Sequence, residues 1–308
     1  MRILKILTIF LLFVLTTSLE ASEKRICIEL ITVITEDKRL LSGALFGEPD
    51  PEKPWLIFIH GYGGDFYSGI NAFLPGEMAK RGVVSLSVNT RDHGKGPKTS
   101  IFEDCIKDID AMIHFALEKG AKDIFLVGES MGTNKVMLFA SRKTYPEIKG
   151  LILIASPGNL FEWNVKVFGR EKVLSDLNRA KELIKQKKEE LIVVDLGPLG
   201  KNLYSPQHLV SLRDPDSQSD PFKNIEKISL PMLFIHGSKD RLVDPEVSRM
   251  LSSKRTKFSE LSIIEGADHE FRGYEDELCQ HIERWIKKLL TVRKVSLLHQ
   301  LYFPISRD

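Results

Sequence analysis

The chain has 308 residues, of which 43% are hydrophobic and 28% are charged, and this composition is typical of a globular protein with a large buried core. The 44 Lys and Arg residues nearly balance the 42 Asp and Glu residues, which leaves a formal net charge of +2. A charge this small gives no field that would favour nucleic acid or anionic lipid as the main partner. We therefore expect a small-molecule partner and no nucleic acid.

Residues 1–22 have the layout of a signal peptide. Arg2 and Lys5 are followed by an apolar run at 6–15, which is too short to cross a bilayer comfortably. We therefore predict export, to the periplasm or as a secreted protein. Leu19 is a poor residue for its place just before the candidate cleavage point, so an uncleaved N-terminal anchor, with membrane association through this segment, stays open as an alternative.

The cysteines, Cys27, Cys105 and Cys279, lie far apart in the sequence. They are too few and too scattered for a disulfide framework or a metal site. We expect each of them to be a buried small hydrophobe.

The order of apolar runs along the chain predicts an α/β fold. Residues 26–46 contain two β-rich runs separated by EDKR, which predicts an antiparallel hairpin. Short buried-strand runs then alternate with helix-length segments, and this alternation is typical of a mostly parallel sheet with helices on both faces. The strand runs lie at 55–60, 83–88, 123–128, 150–155, 231–236 and 261–266, and the helical segments at 67–81, 103–119, 131–143, 245–253 and 273–290.

Residues 159–230 interrupt this alternation, because no run within them clearly rejoins the sheet pattern. We predict an insertion that acts as a lid, with a charged helix and turn-rich stretches that fold back over a site. The predicted organisation is a signal peptide or anchor at 1–22, a core at 23–158 and 231–290, the lid at 159–230 and a C-terminal tail at 291–308. We expect the tail to pack on the body of the protein, and a subunit or membrane contact is the alternative.

The sequence GESMG places Ser130 between Gly128 and Gly132, at the end of an apolar run. Chance alone supplies such a pattern in some chains, so its context decides its meaning. The run before it predicts a strand and the residues after it predict a helix. A serine nucleophile on this kind of fold needs such a sharp strand-to-helix turn, which pushes its hydroxyl out above the sheet.

A serine hydroxyl needs a base, and the base needs an anion that holds its tautomer and stabilises its imidazolium. With Ser130 after the fifth strand, chain order places the acid after the next-to-last strand and the histidine after the last one. Asp240 and His269 occupy those two loops. We therefore predict Ser130 as the nucleophile, Asp240 as the orienting acid and His269 as the general base.

Other residues compete for these roles. Asp244 directly precedes a proline at the start of a helical segment, which is typical of an N-cap. Asp268 is expected to shape the turn that carries its neighbour His269. His93 and His236 do not follow the last strand, where a base would reach the serine, so we assign them no catalytic role.

A tetrahedral intermediate also needs donors for its oxyanion. The backbone N–H of Met131 directly follows the serine, and FIHGYGGD at 58–65 is a loop after an early strand in which the N–H of Tyr62 can turn inward. The glycines of this loop lack the spacing of a dinucleotide-binding motif and the lysine of a P-loop, which disfavours a phosphate site. We predict Tyr62 and Met131 as the oxyanion donors.

The motifs HGYGG, GESMG, GSKDRLVD and GADHEF, in this order, resemble those of the α/β-hydrolases, and the resemblance covers residues 26–290. It implies the triad of Ser130, Asp240 and His269 and the two oxyanion donors named above. It also implies an α/β-hydrolase fold, with a mostly parallel sheet, helices on both faces and a lid between the sixth and seventh strands. In position alone, this lid resembles the cap of monoacylglycerol-lipase-like and serine-aminopeptidase-like members.

The predicted reaction is acyl transfer to Ser130 followed by hydrolysis, with no cofactor and no metal. We expect a carboxylic ester as the substrate. A peptidase or amidase stays open, with Glu129 and Glu162 as candidates to hold the free amine of an aminopeptidase substrate. A non-catalytic binding protein on the same fold, and a haloperoxidase or C–C bond hydrolase with the same triad, are further alternatives. No oligomeric state follows from the sequence.

Overall fold

The computed structural model describes residues 25–195, 197, 200–254 and 259–302, with side chains as far as residue 292. The predicted signal segment at 1–22 lies outside these residues. Among the helices that are described, none combines the length and the apolar character that crossing a membrane requires.

Within the described chain, one sheet has eight strands and a second sheet has two. The strands are β1 (Ile28–Ile34), β2 (Leu40–Phe46), β3 (Trp55–Ile59), β4 (Val84–Val88), β5 (Ile124–Glu129), β6 (Ile148–Ile154), β7 (Ile192–Asp195), β8 (Lys201–Tyr204), β9 (Met232–Gly237) and β10 (Glu260–Ile264). The order across the large sheet is β1-β2-β4-β3-β5-β6-β9-β10. β2 pairs antiparallel with β1 and β4, and the other neighbouring pairs are parallel. The predicted hairpin and the mostly parallel sheet are confirmed.

The strand β3 is apolar on both faces because both faces of the sheet are covered. In β3, Leu56 and Phe58 belong to one core, whereas Trp55, Ile57 and Ile59 belong to the other. Successive side chains of a strand point to opposite faces of a sheet. This alternation explains why the run WLIFI contains no polar residue.

Helices cover the large sheet in two layers. The described α-helices, of which α4–α7 lie within residues 159–230, are α1 (Leu74–Lys80), α2 (Cys105–Glu118), α3 (Met131–Ala140), α4 (Leu160–Phe168), α5 (Arg170–Lys185), α6 (Pro206–Arg213), α7 (Pro221–Asn224), α8 (Pro245–Ser253) and α9 (Glu275–Tyr302). α2, α3 and α8 supply Ile113, Val136 and Leu251 to one core. α1 and α9 supply Met78 and Ile282 to the other core. This cover confirms the predicted α/β fold class.

Residues 159–230, which we call the insertion, contain α4–α7 and the hairpin β7–β8. Neither of these two described strands joins the large sheet. The apolar cluster of the insertion, which includes Leu177, Leu183 and Leu209, extends to Met131 at the start of α3. The insertion therefore packs beside the turn that carries GESMG. The hairpin was not predicted, because strands of four residues are too short to give a clear period.

Two expectations differ from the structure. Cys27 is exposed rather than buried, because it precedes the edge strand β1, whereas Cys105 and Cys279 are buried as expected. The last helix was expected to end at residue 290, but α9 continues to Tyr302. It continues because residues 291–302 contain neither glycine nor proline, which are the residues that most often end a helix.

Candidate active site

Ser130 lies at the turn between β5 and α3, in a backbone conformation that residues with side chains rarely adopt. Its φ is 51° and its ψ is −124°, and holding a residue in such a region costs about 1–3 kcal/mol. The N–H of Ser130 donates to the Ile154 carbonyl at 2.9 Å, which ties the turn to the neighbouring strand β6. This is the sharp strand-to-helix turn on which a nucleophilic serine is presented.

The glycines around this turn are required by close backbone contacts. A Cβ atom at Gly128 would lie 2.6 Å from the Gly132 carbonyl oxygen, and a Cβ atom at Gly132 would overlap the Ile59 carbonyl oxygen. Gly61, in the loop after β3, lies against the serine itself, since a Cβ atom there would be 2.9 Å from Ser130 Cβ. The loop after β3 therefore passes directly beside the serine.

The two predicted oxyanion donors follow Ser130 and Gly61 in the chain. Met131 begins α3, and the first N–H groups of a helix have no acceptor within the helix. Neither the Met131 N–H nor the Tyr62 N–H donates a hydrogen bond to another described residue. Ser130, Tyr62 and Met131 line the same pocket. The structure thus brings the serine and both donor residues together.

Asp240 and His269 meet beyond the carboxyl ends of β9 and β10. Nδ1 of His269 lies 2.6 Å from Oδ2 of Asp240. A backbone hydrogen bond joins their loops, because the Lys239 N–H donates to the Ala267 carbonyl at 2.9 Å. The parallel pairing of β9 with β10 therefore determines the separation between the carboxylate and the imidazole.

Both oxygens of the Asp240 carboxylate accept hydrogen bonds. Oδ1 accepts the N–H groups of Leu242 and Val243, each at 2.8 Å, and Oδ2 accepts His269 and, at 3.1 Å, Nε2 of His236. Burial alone would raise the pKa of Asp240, but the hydrogen bonds from His236 and His269 hold this pKa well below the usual range of an aspartate. Asp240 is therefore an anion at neutral pH, as the partner of an imidazolium must be.

His236, for which the sequence predicted no catalytic role, is a second histidine partner of Asp240. Its side chain is fully buried at the end of β9, and its Nδ1 lies 2.7 Å from Oγ of Ser248 on α8. Nε2 donates to the carboxylate, and the hydrogen bond between Nδ1 and the Ser248 hydroxyl holds the ring in place. His236 therefore helps to orient Asp240 through the same oxygen, Oδ2, that accepts the hydrogen bond from His269. A histidine four residues before the acid, at a strand end, is the sequence signal that could have revealed it.

The environment of His269 favours its protonated form. Burial would lower the pKa of His269, but the hydrogen bond and charge of Asp240 raise it, with further contributions from Glu129 and Glu270. Since Nδ1 is bonded to Asp240, Nε2 is the nitrogen left to act on a serine. In the described structure no hydrogen bond joins His269 to Ser130, and such catalytic bonds often tighten only when substrate binds.

Glu129, directly before the serine, turns its carboxylate toward the loop after β3. Its Oε2 accepts the Gly61 N–H at 2.9 Å. Burial raises the pKa of Glu129, and the charge of His269 opposes this shift, so the two groups interact electrostatically. Glu129 therefore holds the residue that precedes Tyr62. Glu162, the other candidate for binding an amine, is exposed on α4.

A buried polar network supports the same loop. Nδ1 of His60 donates to the Gly61 carbonyl at 2.8 Å, and Nε2 accepts the Thr90 N–H at 3.0 Å. Burial lowers the pKa of His60 to about 3, so its ring is neutral at physiological pH. Lys135, on α3, donates to Thr90 Oγ1 at 3.0 Å and to Asp92 Oδ1 at 2.7 Å. The network joins the helix after the serine to the loop after β3.

The pocket beside Ser130 is mostly apolar. Its walls include Leu160 from the insertion and Val243 from the loop of the acid. Two polar side chains of the insertion, Asn164 and Arg213, line it as well. The insertion therefore forms part of the wall of the candidate active site.

The competing acidic residues have structural roles. Asp244 caps α8, since its Oδ1 accepts the Glu246 N–H at 3.0 Å. Asp268 shapes its turn by accepting the Glu270 N–H at 3.0 Å. Both interpretations from the sequence are confirmed. Within the described ranges, no group of His, Cys, Asp and Glu residues is arranged to hold a metal ion.

The sheet order, the two helix layers and the strand-to-helix turn together define an α/β-hydrolase. A family model described as serine aminopeptidase, S33, matches residues 50–276. The chain belongs to this family of hydrolases. Among curated protein sequences, none matches the chain.

The fold is similar to those of several solved esterases. Est1E from Butyrivibrio proteoclasticus, solved with ferulic acid bound, has 19% identity and a TM-score of 0.66 over 85% of this chain and 99% of that chain. An esterase of Pyrococcus furiosus has 20% identity and a TM-score of 0.61 over 85% and 91% of the two chains. The esterase domain of a Rhodothermus marinus protein has 18% identity and a TM-score of 0.58 over 85% and 98%. At these identities the similarity shows the fold alone.

Proposed function

We propose that the protein is a serine esterase that hydrolyses a carboxylic ester through an acyl-enzyme on Ser130. The observation that carries this proposal is the hydrogen bond between Asp240 and His269, in which Oδ2 and Nδ1 are 2.6 Å apart. This pair lies beyond the carboxyl ends of β9 and β10, and the strained turn that holds Ser130 lies at the carboxyl end of the parallel strand β5. The fold alone would not carry it, because one fold hosts many activities. The esterases of similar fold support an ester rather than an amide as the substrate.

In the proposed reaction, Nε2 of His269 takes the hydroxyl proton as Ser130 Oγ attacks the ester carbonyl. Asp240 stabilises the imidazolium through the Nδ1–H. The carbonyl oxygen becomes an oxyanion, which accepts hydrogen bonds from the N–H groups of Tyr62 and Met131. His269 then protonates the leaving alcohol. In the second half of the reaction, His269 activates a water molecule that hydrolyses the acyl-enzyme.

A serine aminopeptidase is the second candidate, because this is the description of the matching family. Such an enzyme needs an anion that binds the free amine of its substrate. Glu129 already accepts the Gly61 N–H at 2.9 Å, and Glu162 is exposed on α4. The hydrogen bond that Glu129 already accepts makes it a poor site for an amine, which favours the esterase.

A series of nitrophenyl esters with different acyl chain lengths, measured beside aminoacyl nitroanilides, tests the proposal. We expect hydrolysis of the esters and covalent labelling by a fluorophosphonate probe, and we expect Ser130→Ala to abolish both. Ser253→Ala, at an exposed position of α8, is the matched control and should keep both. A preference for the anilides would overturn the ester assignment, and a wild-type protein that the probe does not label would overturn the serine mechanism.

A further inference from the structure

The pocket beside Ser130 contains a buried cation that no described carboxylate neutralises. Arg213, at the end of α6, is 7% exposed. Its Nη2 donates to Tyr204 Oη at 3.3 Å, and its guanidinium lies 5.2 Å from the centre of that ring. The neighbouring Asp214 pairs with Lys181 at 2.6 Å instead. A buried charge without a counter-ion is costly, so Arg213 calls for an anion from outside the chain.

Other carboxylates near Arg213 are engaged elsewhere. Asp176 and Asp195 line a neighbouring pocket together with Arg213. Asp176 pairs with Lys172 at 2.9 Å, and Asp195 accepts the Gly197 N–H at 2.9 Å. Neither forms an ion pair with Arg213, so neither neutralises the guanidinium of a residue that lines the pocket beside Ser130.

A second polar group in the same pocket lacks a partner. Asn164, on α4, is 2% exposed, and its Nδ2 donates to the Leu160 carbonyl in the preceding turn. Its Oδ1 has no hydrogen-bond partner among the described residues. A plain hydrocarbon chain bound here would leave both a charge and an amide oxygen unpaired, and a site built in this way rejects such a ligand.

We propose that Arg213 binds a carboxylate of the substrate, so that the enzyme acts on esters that carry a carboxylate, and that Asn164 Oδ1 accepts a hydrogen bond from the same substrate. This inference rests on the proposed esterase function and names its substrate class. The planar guanidinium presents parallel N–H donors that match a carboxylate. The apolar walls, such as Leu160 and Leu212, keep water away and strengthen this interaction.

Matched pairs of esters test the inference. On the acyl side, nitrophenyl monoesters of adipate and suberate are compared with the hexanoate and octanoate esters. On the alcohol side, the butyrate ester of para-hydroxybenzoate is compared with that of para-cresol. We expect the carboxylated member to have the higher kcat/KM on one of these sides. Arg213→Gln should reduce this preference about 10- to 100-fold, and Arg213→Lys, which keeps the charge, should retain more of it.

The matched control is Arg179→Gln, which removes an exposed cation of the insertion that pairs with Glu190 at 2.9 Å. This variant should keep the wild-type preference, and thermal unfolding of each variant verifies that it is folded. Equal kcat/KM values within every pair would overturn the inference while leaving the esterase in place. If no ester is cleaved and the fluorophosphonate probe does not label the protein, the proposed esterase function is wrong. In that case, calorimetry with adipate tests whether Arg213 binds a carboxylate. Adipate binding that Arg213→Gln weakens would support the carboxylate site, and the absence of adipate binding would overturn it.

Discussion

Replacing Asp240 with asparagine should disable the proposed triad whichever way the new amide is oriented. Oδ1 of the carboxylate accepts hydrogen bonds from the N–H groups of Leu242 and Val243. Oδ2 accepts hydrogen bonds from Nε2 of His236 and Nδ1 of His269. An amide has one oxygen and one NH2 group. In one orientation the NH2 group faces the two backbone donors, and in the other it faces the two imidazole rings. Neither orientation preserves all the hydrogen bonds.

The size of the effect follows from the 2.6 Å hydrogen bond between Asp240 and His269. A hydrogen bond to a charged group contributes about 1.5–3 kcal/mol. The loss of the anion that stabilises the imidazolium, and of the correct tautomer, adds to this. We expect kcat/KM for a nitrophenyl ester to fall about 1,000- to 10,000-fold, which corresponds to about 4–5.5 kcal/mol of transition-state stabilisation.

The pH dependence of kcat/KM provides a second readout. Asp240 raises the pKa of His269, so its replacement by asparagine lowers this pKa. Because the base must be neutral to act, the acidic limb of the profile should move to lower pH. Asp244→Asn is the matched control, since asparagine also caps helices well, and it should keep both the rate and the profile. Folded Asp240→Asn protein with a rate near that of wild type, or with an acidic limb at higher pH, would refute the reasoning.

Two further substitutions test groups around the site. Glu129→Gln keeps an acceptor for the Gly61 N–H but removes a charge that raises the pKa of His269, so the acidic limb of the kcat/KM profile should move to lower pH. An unchanged limb would contradict the electrostatic role. Lys135→Met leaves Asp92 buried without its cation, so the free energy of unfolding, measured with urea, should fall by about 3–5 kcal/mol.

The matched control for the lysine substitution is Lys122→Met. Lys122 pairs with Glu52 at 2.9 Å on the exposed surface, where ion pairs contribute little to stability. We expect its unfolding midpoint in urea to stay near that of wild type. A similarly small change for Lys135→Met would show that the buried pair does not stabilise the fold.

The sequence predicted the positions of Ser130, Asp240 and His269 because each follows its own strand, and the order of strands is visible in the chain. It did not predict the role of His236, because that role depends on where the loop of the acid returns in three dimensions. Lys135 shows the same limit. A lysine in a helix is usually exposed. The burial of Lys135 depends on the loop after β4, which supplies its partners Thr90 and Asp92 and which the sequence of the helix does not reveal.

The fold was predicted where the apolar pattern was strong and missed where it was weak. β3, β5 and β9 each begin with at least four consecutive apolar residues, so their type and order could be inferred. The short β7–β8 hairpin has too few residues for a period, and its position depends on packing within the insertion. Arg213 and Asn164 belong to this weakly patterned segment, and for that reason no sequence motif pointed to them.

His269, the candidate base, follows the last strand of the large sheet, whereas Ser130, the candidate nucleophile, follows a central strand. Among the strands that the structure describes, β10 pairs only with β9, while β5 has a neighbour on each side. Strands at the margin of a sheet open locally at a lower free energy than those inside it. We therefore expect heat or denaturant to separate the imidazole from its carboxylate before the core melts. Catalytic activity should then be lost at a lower temperature or denaturant concentration than the circular dichroism signal of the folded protein.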